Sequence, residues 1–384
     1  MEWNGMEWNG MIWNGMEWNE MRERTRSGRV AECQGYKQNS IIIVIVVFSI
    51  ISPMLRRFSR INSVPHYRVE NTGVAQYAIK STEDTATAAT ASATAHAEYQ
   101  YLNLIHDIIE QNHEHESRNG TTFSIFGAGM VFSLDQGTVP ILTTKKMAWK
   151  TCIKELLWFV QGKTDNRILQ DAGVHIWDDN ASHDFMESRG LAHYAEGDLG
   201  PIYGHQWRHF NAAYENHETD YTGKGIDQLA EIIRCLKHPT ERFSRRLIMS
   251  AWNPCQLDEM ALPPCHILCQ FNVDNQNRLS CALYQRSGDV GLGVPFNIAS
   301  YSFLTHLLAK HCGLVAHEFV YHLGNAHIYD DHMDVMKTQL LRRPLAFPRV
   351  EISVLRDDIN DYVFEDFRVL NYQSYDSLKM TMRK

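Results

Sequence analysis

The stretch from Ala261 to Asp289 constrains the fold of this chain most, because two prolines and a cysteine precede a β-hairpin pattern. Proline lacks an amide hydrogen and restricts the residue before it, so the preceding segment ends here and Cys265 begins a new element. After Cys265, side chains that alternate between apolar and polar predict a buried strand. Residues 274–278 then predict a turn, and Leu279 to Tyr284 predict the returning strand. We therefore predict a hairpin that brings Arg286 back beside Cys265.

Cys265 is a candidate nucleophile within this hairpin. A fixed cation such as Arg286 lowers the pKa of a neighbouring thiol and increases the thiolate, which is the attacking species. The alternative is a buried structural cysteine, which is the commoner fate of this residue type. A metal site at Cys265, His266 and Cys269 is not expected, because alternation along the strand directs His266 to the opposite face.

Composition bounds the function classes open to the chain. Its 384 residues are 44% hydrophobic, enough for one large domain or two ordinary ones. A net charge of −8 argues against wholesale binding of nucleic acid. The eight cysteines are scattered without a CxxC pair, which indicates a reducing compartment. We expect a cytoplasmic protein, with the nucleus as an alternative.

The first 97 residues differ in character from the rest. A five-residue repeat over Met1 to Glu20 matches neither helical nor strand periodicity, which predicts a low-complexity extension. The apolar segment 41–55 is flanked by arginines, but 15 helical residues span only about 22 Å of a hydrocarbon core near 30 Å. Pro53 also interrupts it, so a weak membrane anchor is the alternative to a disordered leader.

A Thr/Ala-rich linker at Ser81 to Ala97 marks the predicted domain boundary. We predict a low-complexity extension over 1–97 and a catalytic domain over 98–384. The domain opens with a predicted helix at Glu98 to Asn112, where apolar residues recur at helical spacing.

Four motifs carry a resemblance to a known family: PPCH, YQRSGD, GVPFNIASY and HIY. In this order and at these spacings the chain resembles thymidylate synthase, in its animal-type form, from about Glu98 to about Phe367. The resemblance implies an α/β fold with a large mixed sheet, helices on one face, and dimerisation through the other face. It also implies reductive methylation of dUMP to dTMP with 5,10-methylenetetrahydrofolate as co-substrate, without a metal.

The resemblance also assigns roles to individual residues. Cys265 would attack the pyrimidine while Glu155 and Tyr203 manage protons. For Glu155, the apolar surroundings independently predict a raised pKa. The dUMP-binding residues would be Arg118, Arg245, Arg246, Arg286, Ser287, Asn297, His327 and Tyr329. The folate-binding residues would be Asp289, Trp177 and Asn180, with Lys145 or Lys146 meeting the anionic glutamate tail.

Two of these assignments bear on assembly and substrate choice. In the family, the counterparts of Arg245 and Arg246 cross a dimer interface, which implies a homodimer with shared active sites. Asn297 offers a donor and an acceptor that suit uracil, whereas the related deoxycytidylate hydroxymethylases have aspartate there. Two alternatives stay open, a dCMP hydroxymethylase-like enzyme and a non-catalytic nucleotide- or RNA-binding homologue.

The chain departs from the family pattern at three places. The turn that carries Arg118 is one residue shorter, and Asn325 stands where animal forms commonly have aspartate. The C-terminal tail lacks the family's prolines and ends with Arg383 and Lys384 in place of Ala-Val. Because closure of such a tail completes the catalytic site, turnover depends on whether this tail docks.

Overall fold

The computed structural model of the protein describes residues 95–383. The repeat, the apolar segment 41–55 and most of the predicted linker lie outside the described residues, so these predictions stay untested. Within 95–383, no helix is both long enough and apolar enough to span a membrane.

Nine α-helices and eight strands are described between residues 95 and 383. The helices are α1 (Tyr99–Gln111), α2 (Trp149–Val160), α3 (Asn166–Asp171), α4 (Asp178–Ala181), α5 (His183–Ser188), α6 (Tyr203–His209), α7 (Gln228–Lys237), α8 (Gly293–Cys312) and α9 (Met333–Leu340). The strands are β1 (Glu114–Ser117), β2 (Gly120–Ser133), β3 (Ile248–Ser250), β4 (His266–Val273), β5 (Arg278–Asp289), β6 (Val315–Tyr329), β7 (Arg349–Ile352) and β8 (Phe367–Leu370).

Six of the strands form one large mixed sheet in the order β1-β2-β6-β5-β4-β3. The β5–β6 pair is parallel and its neighbours are antiparallel, while β7 and β8 form a separate two-stranded ladder. This confirms the large mixed sheet with helices that the resemblance implies. The predicted hairpin is also confirmed, since β4 and β5 pair antiparallel around the 274–278 turn.

One face of the sheet is buried beneath helices. Along β4 and β5, the side chains of Cys269, Phe271, Cys281 and Leu283 are at most 1% exposed. Helix α8 packs on this face and is buried over most of its length, as expected of a helix that is apolar all round. The helix begins at Gly293, and Pro295 lies in its first turn, where proline is tolerated.

The opposite face of the sheet is only partly covered by the described residues. One cross-strand row joins Ile248, Gln270, Ala282, Val320 and Val131 on five adjacent strands. Ile248 and Val131 are 42% and 41% exposed, respectively. A largely apolar row that lies open across a sheet is typical of a protein–protein interface.

Candidate active site

The β4–β5 hairpin brings Arg286 to Cys265, as the sequence predicts. The Arg286 amide donates to the Cys265 carbonyl at 2.9 Å, and the guanidinium Nη2 lies 3.8 Å from Cys265 Sγ. The guanidinium also donates to the carbonyls of Pro264 (2.8 Å) and Pro263 (2.9 Å). The two prolines therefore expose carbonyl groups that fix the cation beside the thiol.

The pKa of Cys265 is nevertheless raised above its usual value. Burial disfavours the thiolate most strongly, and the Arg286 charge lowers the pKa by less. Arg286 lowers the thiol pKa as the sequence predicts, but desolvation raises it by more, so the net shift is upward. Trp252, which the sequence analysis missed, lies 5.6 Å from the guanidinium and stacks against it. Its position just after β3 gave no signal that it would reach the site.

Tyr203 lies directly beside Cys265. Its hydroxyl accepts a hydrogen bond from the Cys265 amide at 2.8 Å, and burial raises the tyrosine pKa well above 10. The ring of His266 stacks on Tyr203 at 4.0 Å with an interplanar angle of 13°. Burial lowers the His266 pKa to about 3, so this histidine is neutral and supports the tyrosine ring. In the sequence, His266 is a candidate only for metal binding, and no local pattern indicates this stacking contact.

Glu155 is a buried carboxyl group on α2. Trp177 Nε1 donates to its Oε1 at 2.7 Å, and the Trp177 ring lies edge-on to Tyr203 at 6.2 Å. Burial raises the Glu155 pKa to about 7, although the Trp177 hydrogen bond opposes the shift. The raised pKa agrees with the prediction from its apolar neighbours. A carboxyl group with this pKa can both accept and release a proton near neutral pH.

Asp289 and Asn180 carry polar atoms that protein groups do not use. One Asp289 oxygen accepts from the amides of Gly291 (2.8 Å) and Leu292 (3.3 Å), and no described group donates to the other. The Asn180 Nδ2 is buried without a hydrogen-bond partner among the described residues. Buried polar groups without partners are rare, so the Asn180 donor is available to a polar ligand, and the free Asp289 oxygen belongs to a partly exposed side chain that such a ligand can reach.

Lys145 is buried rather than exposed on the surface. Its side chain is 4% exposed and its Nζ donates to the Gly291 carbonyl. Burial lowers the Lys145 pKa to about 8, and the nearby charges of Asp289 and Glu98 oppose that shift. Lys145 therefore supports the turn that follows Asp289, and contact with an anionic tail does not fit its burial. Lys146 is exposed and fits that role better.

His327 and Tyr329 share one face at the end of β6. Their rings meet edge-on, with centroids 5.3 Å apart and an interplanar angle of 84°. Thr122 pairs with Tyr329 between β2 and β6, so the exposed turn that carries Arg118 lies close to His327 and Tyr329 although that turn is one residue shorter. Burial and the charge of Asp289 raise the pKa of Tyr329, and a hydrogen bond with Asn119 and the charge of Arg118 lower it by less.

Ser287 and Asn297 complete the predicted nucleotide-binding set near β6. Ser287 pairs with Asn325 across the parallel β5–β6 ladder. Asn297 lies on α8, partly exposed, and its amide makes no hydrogen bond with residues 95–383. A free amide of this kind can recognise both a donor and an acceptor on a ligand.

Arg245 and Arg246 do not reach Cys265 of the same chain. They precede β3, where Ile248 pairs with Gln270 of β4. Gln270 is five residues beyond Cys265, which corresponds to about 17 Å along an antiparallel strand. Both arginines are exposed at this distant end of the sheet.

The C-terminal tail docks beside the site in spite of its altered sequence. His332 Nε2 donates to the Thr381 carbonyl at 2.8 Å. Arg383 Nη2 forms ion pairs with Asp330 at 3.2 Å and Asp331 at 3.0 Å. Its guanidinium also lies 5.7 Å from the centre of the Tyr329 ring.

A metal-binding arrangement is absent from the described part of the chain. Across residues 95–383, no three His, Cys, Asp or Glu side chains come together in a way that could hold a metal ion. The chemistry available at this site comes from a thiol, carboxyl groups, aromatic side chains and guanidinium groups.

Comparison with known proteins gives a consistent result. The profile of the family described as thymidylate synthase matches residues 99–384. The chain is 49% identical over 288 residues to the thymidylate synthase of Equine herpesvirus 2, covering 75% of this chain and 98% of that protein. It is 49% identical over 298 residues to the thymidylate synthase of Agaricus bisporus, covering 75% of this chain and 99% of that protein.

Longer relatives also match. A bifunctional dihydrofolate reductase-thymidylate synthase of Zea mays is 49% identical over 288 residues, covering 75% of this chain. The chain spans 54% of the length of that protein and 58% of a rice counterpart, so the match covers only part of each.

Proposed function

Because the chain belongs to the thymidylate synthase family, we propose that it converts dUMP to dTMP with 5,10-methylenetetrahydrofolate as donor of the methylene group and of hydride. The observation that carries this proposal is the hairpin that holds the Arg286 guanidinium 3.8 Å from Cys265 Sγ, with the Tyr203 hydroxyl on the Cys265 amide. This arrangement provides a nucleophile, a fixed cation and a proton-handling group within one small volume.

The reaction begins when the Cys265 thiolate adds to carbon 6 of the pyrimidine, and carbon 5 becomes nucleophilic. Carbon 5 then bonds to the methylene carbon of the folate and loses its proton. Elimination breaks the carbon–nitrogen bond to the folate and leaves an exocyclic methylene on the ring. Hydride from the reduced folate converts this methylene to methyl, and the thiolate leaves, which gives dTMP and dihydrofolate.

Glu155 and Tyr203 serve the proton transfers of this sequence. With a pKa of about 7, Glu155 is present in both protonation states under physiological conditions. The Tyr203 pKa is well above neutral, so its hydroxyl keeps its proton and polarises the substrate or an ordered water. The neutral form of each group is favoured by burial, which also excludes bulk water from the reacting atoms.

The phosphate of dUMP would be held by guanidinium groups from two subunits. Arg286, Ser287 and Arg118 belong to one subunit, and Arg245 and Arg246 of the partner subunit complete the set. Two observations support this homodimer. The two arginines are separated from Cys265 of their own chain by about 17 Å along the strand. The apolar row across the sheet is exposed to solvent at Ile248 and Val131. Fixing the phosphate orients the pyrimidine over the thiolate, and orientation supplies much of the rate.

The folate fits the unused polar atoms of Asp289 and Asn180. A pterin ring presents donors and acceptors along its edge and an aromatic face. Asp289 and Asn180 offer the matching acceptor and donor, whereas Trp177 is only 9% exposed and holds Glu155 through its Nε1–H. The exposed Lys146 suits the anionic glutamate tail.

Two rival functions are less well supported. Hydroxymethyl transfer to dCMP requires a site that suits cytosine, whereas the free Asn297 amide suits the O4 and N3 edge of uracil. A non-catalytic binding protein was suggested by the altered tail, but the tail docks through Arg383 and Thr381.

All seven described cysteines are free, which supports a cytoplasmic or nuclear location.

Release of tritium from carbon-5-labelled dUMP tests the proposal. The wild-type chain should release tritium only when 5,10-methylenetetrahydrofolate is present, and Cys265→Ser should reduce release by at least about a thousandfold. Labelled dCMP run in parallel should give little release. Equal turnover of dCMP would favour the hydroxymethylase, and absence of release from both nucleotides would favour a binding protein.

A further inference from the structure

Asn325 and His327 form a small unit on the site face of β6. They are two residues apart on one strand, so their side chains lie on the same side of the sheet. Asn325 Oδ1 lies 3.0 Å from His327 Nδ1, and the histidine ring is edge-on to Tyr329. No other described group makes a hydrogen bond with His327 Nε2, which is therefore available to a ligand.

The contact dictates where the imidazole carries its hydrogen. An amide oxygen only accepts hydrogen bonds, so His327 Nδ1 must be the protonated nitrogen. A neutral imidazole carries a single N–H, which leaves Nε2 with a lone pair directed away from Asn325. In this state Nε2 accepts a hydrogen bond and cannot donate one.

The surroundings of His327 keep the ring neutral. Burial lowers its pKa below 6.5, while the charge of Asp289 and a hydrogen bond to the Asn325 backbone raise it by less. Asp289 pairs with His327 across the β5–β6 ladder, and on the β2 side the paired residue is Ser124, which does not titrate. Among the described residues, the Tyr329 ring also meets His327; burial raises its pKa, so it stays protonated, and the charges of Arg118 and Arg383 lie near Tyr329.

We propose that Asn325 is a positioning residue that fixes His327 as the Nδ1-protonated tautomer, so that Nε2 accepts from the 3′-hydroxyl of a deoxyribonucleotide. The proposal rests on the proposed function and on the dUMP-binding assignment of His327 and Tyr329, whose counterparts in the family bond the deoxyribose hydroxyl. A hydroxyl has one hydrogen to donate and lone pairs to accept with. The 3′-hydroxyl donates to His327 and accepts from Tyr329, so the site selects nucleotides whose 3′ group is a donor.

Aspartate at position 325 would have a different effect. A carboxylate next to Nδ1 raises the pKa of the imidazole, because it favours the charged form. The imidazolium carries hydrogens on both nitrogens, so Nε2 becomes a donor. As the pH falls through the raised pKa, the Asn325→Asp variant loses the requirement for a 3′ donor, whereas the wild-type site keeps it.

Binding of two nucleotides to the full chain measures this selection. Calorimetry compares dUMP with 3′-fluoro-2′,3′-dideoxyuridine monophosphate, whose fluorine can accept but not donate, at pH 6 and pH 8. The wild type should bind dUMP about tenfold more tightly than the 3′-fluoro nucleotide at both pH values. This ratio is the expected cost of leaving one buried acceptor, His327 Nε2, unpaired. In Asn325→Asp, the ratio of the two affinities, dUMP over the 3′-fluoro nucleotide, should fall at least about threefold at pH 6 and by less at pH 8. Asn275→Asp, the same change at an exposed position of the β4–β5 turn, should behave as the wild type.

A nitrogen-15 spectrum of the histidine side chains decides the tautomer without reference to the ligand. The His327 signals, assigned by loss in His327→Gln, should show hydrogen on Nδ1 in the wild type and on both nitrogens in Asn325→Asp at pH 6. Hydrogen on Nε2 in the wild type, or equal affinity for the two nucleotides, would overturn the proposal. If dUMP fails to bind at all, the proposed function is wrong, and the spectrum still decides the role of Asn325.

Discussion

At the scale of single residues, burial controls the chemistry of this site more than neighbouring charge does. Desolvation raises the pKa of Cys265 in spite of Arg286, and it raises the pKa of Glu155 to about 7. The same effect lowers the pKa of Lys145 to about 8. Neutral forms are therefore accessible near physiological pH, which suits a reaction that moves protons repeatedly.

Glu155→Gln should make the protein more stable at high pH while it removes activity. Because the folded state raises the Glu155 pKa from 4.5 to about 7, it binds the proton more tightly than the unfolded chain. Stability contributed by this group is thus present at low pH and lost as pH rises towards 7. Glutamine avoids that loss and still accepts from Trp177, so the free energy of unfolding should increase by roughly 1–3 kcal/mol at pH 8.

Denaturant titration at pH 5 and pH 8 checks this prediction. At pH 5 the variant and the wild type should differ little, because the carboxyl group is protonated in the folded protein. The rate of tritium release should fall by about 10²- to 10⁴-fold at either pH. A variant that is no more stable than the wild type at pH 8 would contradict the raised pKa.

At the scale of elements, one hairpin and one tail assemble the site. The β4–β5 hairpin joins Cys265 to Arg286, and the docked tail joins Arg383 to the residues that follow β6. The hairpin is held by a ladder of backbone hydrogen bonds, whereas the tail depends on a few side-chain contacts. The tail is therefore the element that opens and closes most readily.

Arg383→Ala should weaken folate binding through loss of tail closure. Its guanidinium is 32% exposed and pairs with Asp330 and Asp331, and solvent-screened pairs of this kind stabilise a docked segment only weakly. The KM for the folate should rise about two- to tenfold, with a smaller change in the KM for dUMP. The wild-type KM should also rise with salt, and that dependence should be weaker in the variant.

Steady-state kinetics at low and high salt measure these effects. Arg343→Ala provides the control, because Arg343 is exposed and forms no ion pair within residues 95–383. Arg383→Lys should restore part of the affinity, since lysine keeps the charge. An unchanged KM in Arg383→Ala would mean that closure of the tail does not depend on this ion pair.

At the scale of the whole molecule, much of the fold was predictable from the sequence and part of the site was not. The hairpin, the opening helix and the burial of Glu155 follow from local pattern. The sheet order follows only from the resemblance. Packing between distant segments brought Trp252 to Arg286 and buried Lys145, and no local pattern reports such contacts. The net pKa of Cys265 was missed for the same reason, since desolvation depends on the whole fold.

The distance between Arg246 and Cys265 predicts that two defective chains can restore each other. Cys265→Ser removes the nucleophile and Arg246→Ala weakens the phosphate site of the partner, so each homodimer should be nearly inactive. A mixed dimer contains one site with an intact thiol and an intact arginine. Random mixing should therefore recover about a quarter of the wild-type activity.

Activity measured after co-refolding the two variants at equal concentration checks this prediction. Each variant refolded alone is the control for activity that does not need mixing. Failure of the mixture to exceed the two controls would place both residues in one subunit's site and would argue against shared active sites.

Covalent capture tests the central claim most directly. 5-Fluoro-dUMP has fluorine where carbon 5 must lose a proton, so with 5,10-methylenetetrahydrofolate it should trap the enzyme after the Cys265 bond forms. Mass spectrometry of the intact chain should show one nucleotide and one folate added, and peptide mapping should place them on Cys265. Cys255→Ser, a change at an exposed free cysteine, should leave the adduct in place. An adduct that persists in Cys265→Ser, or no adduct on the wild-type chain, would contradict the account.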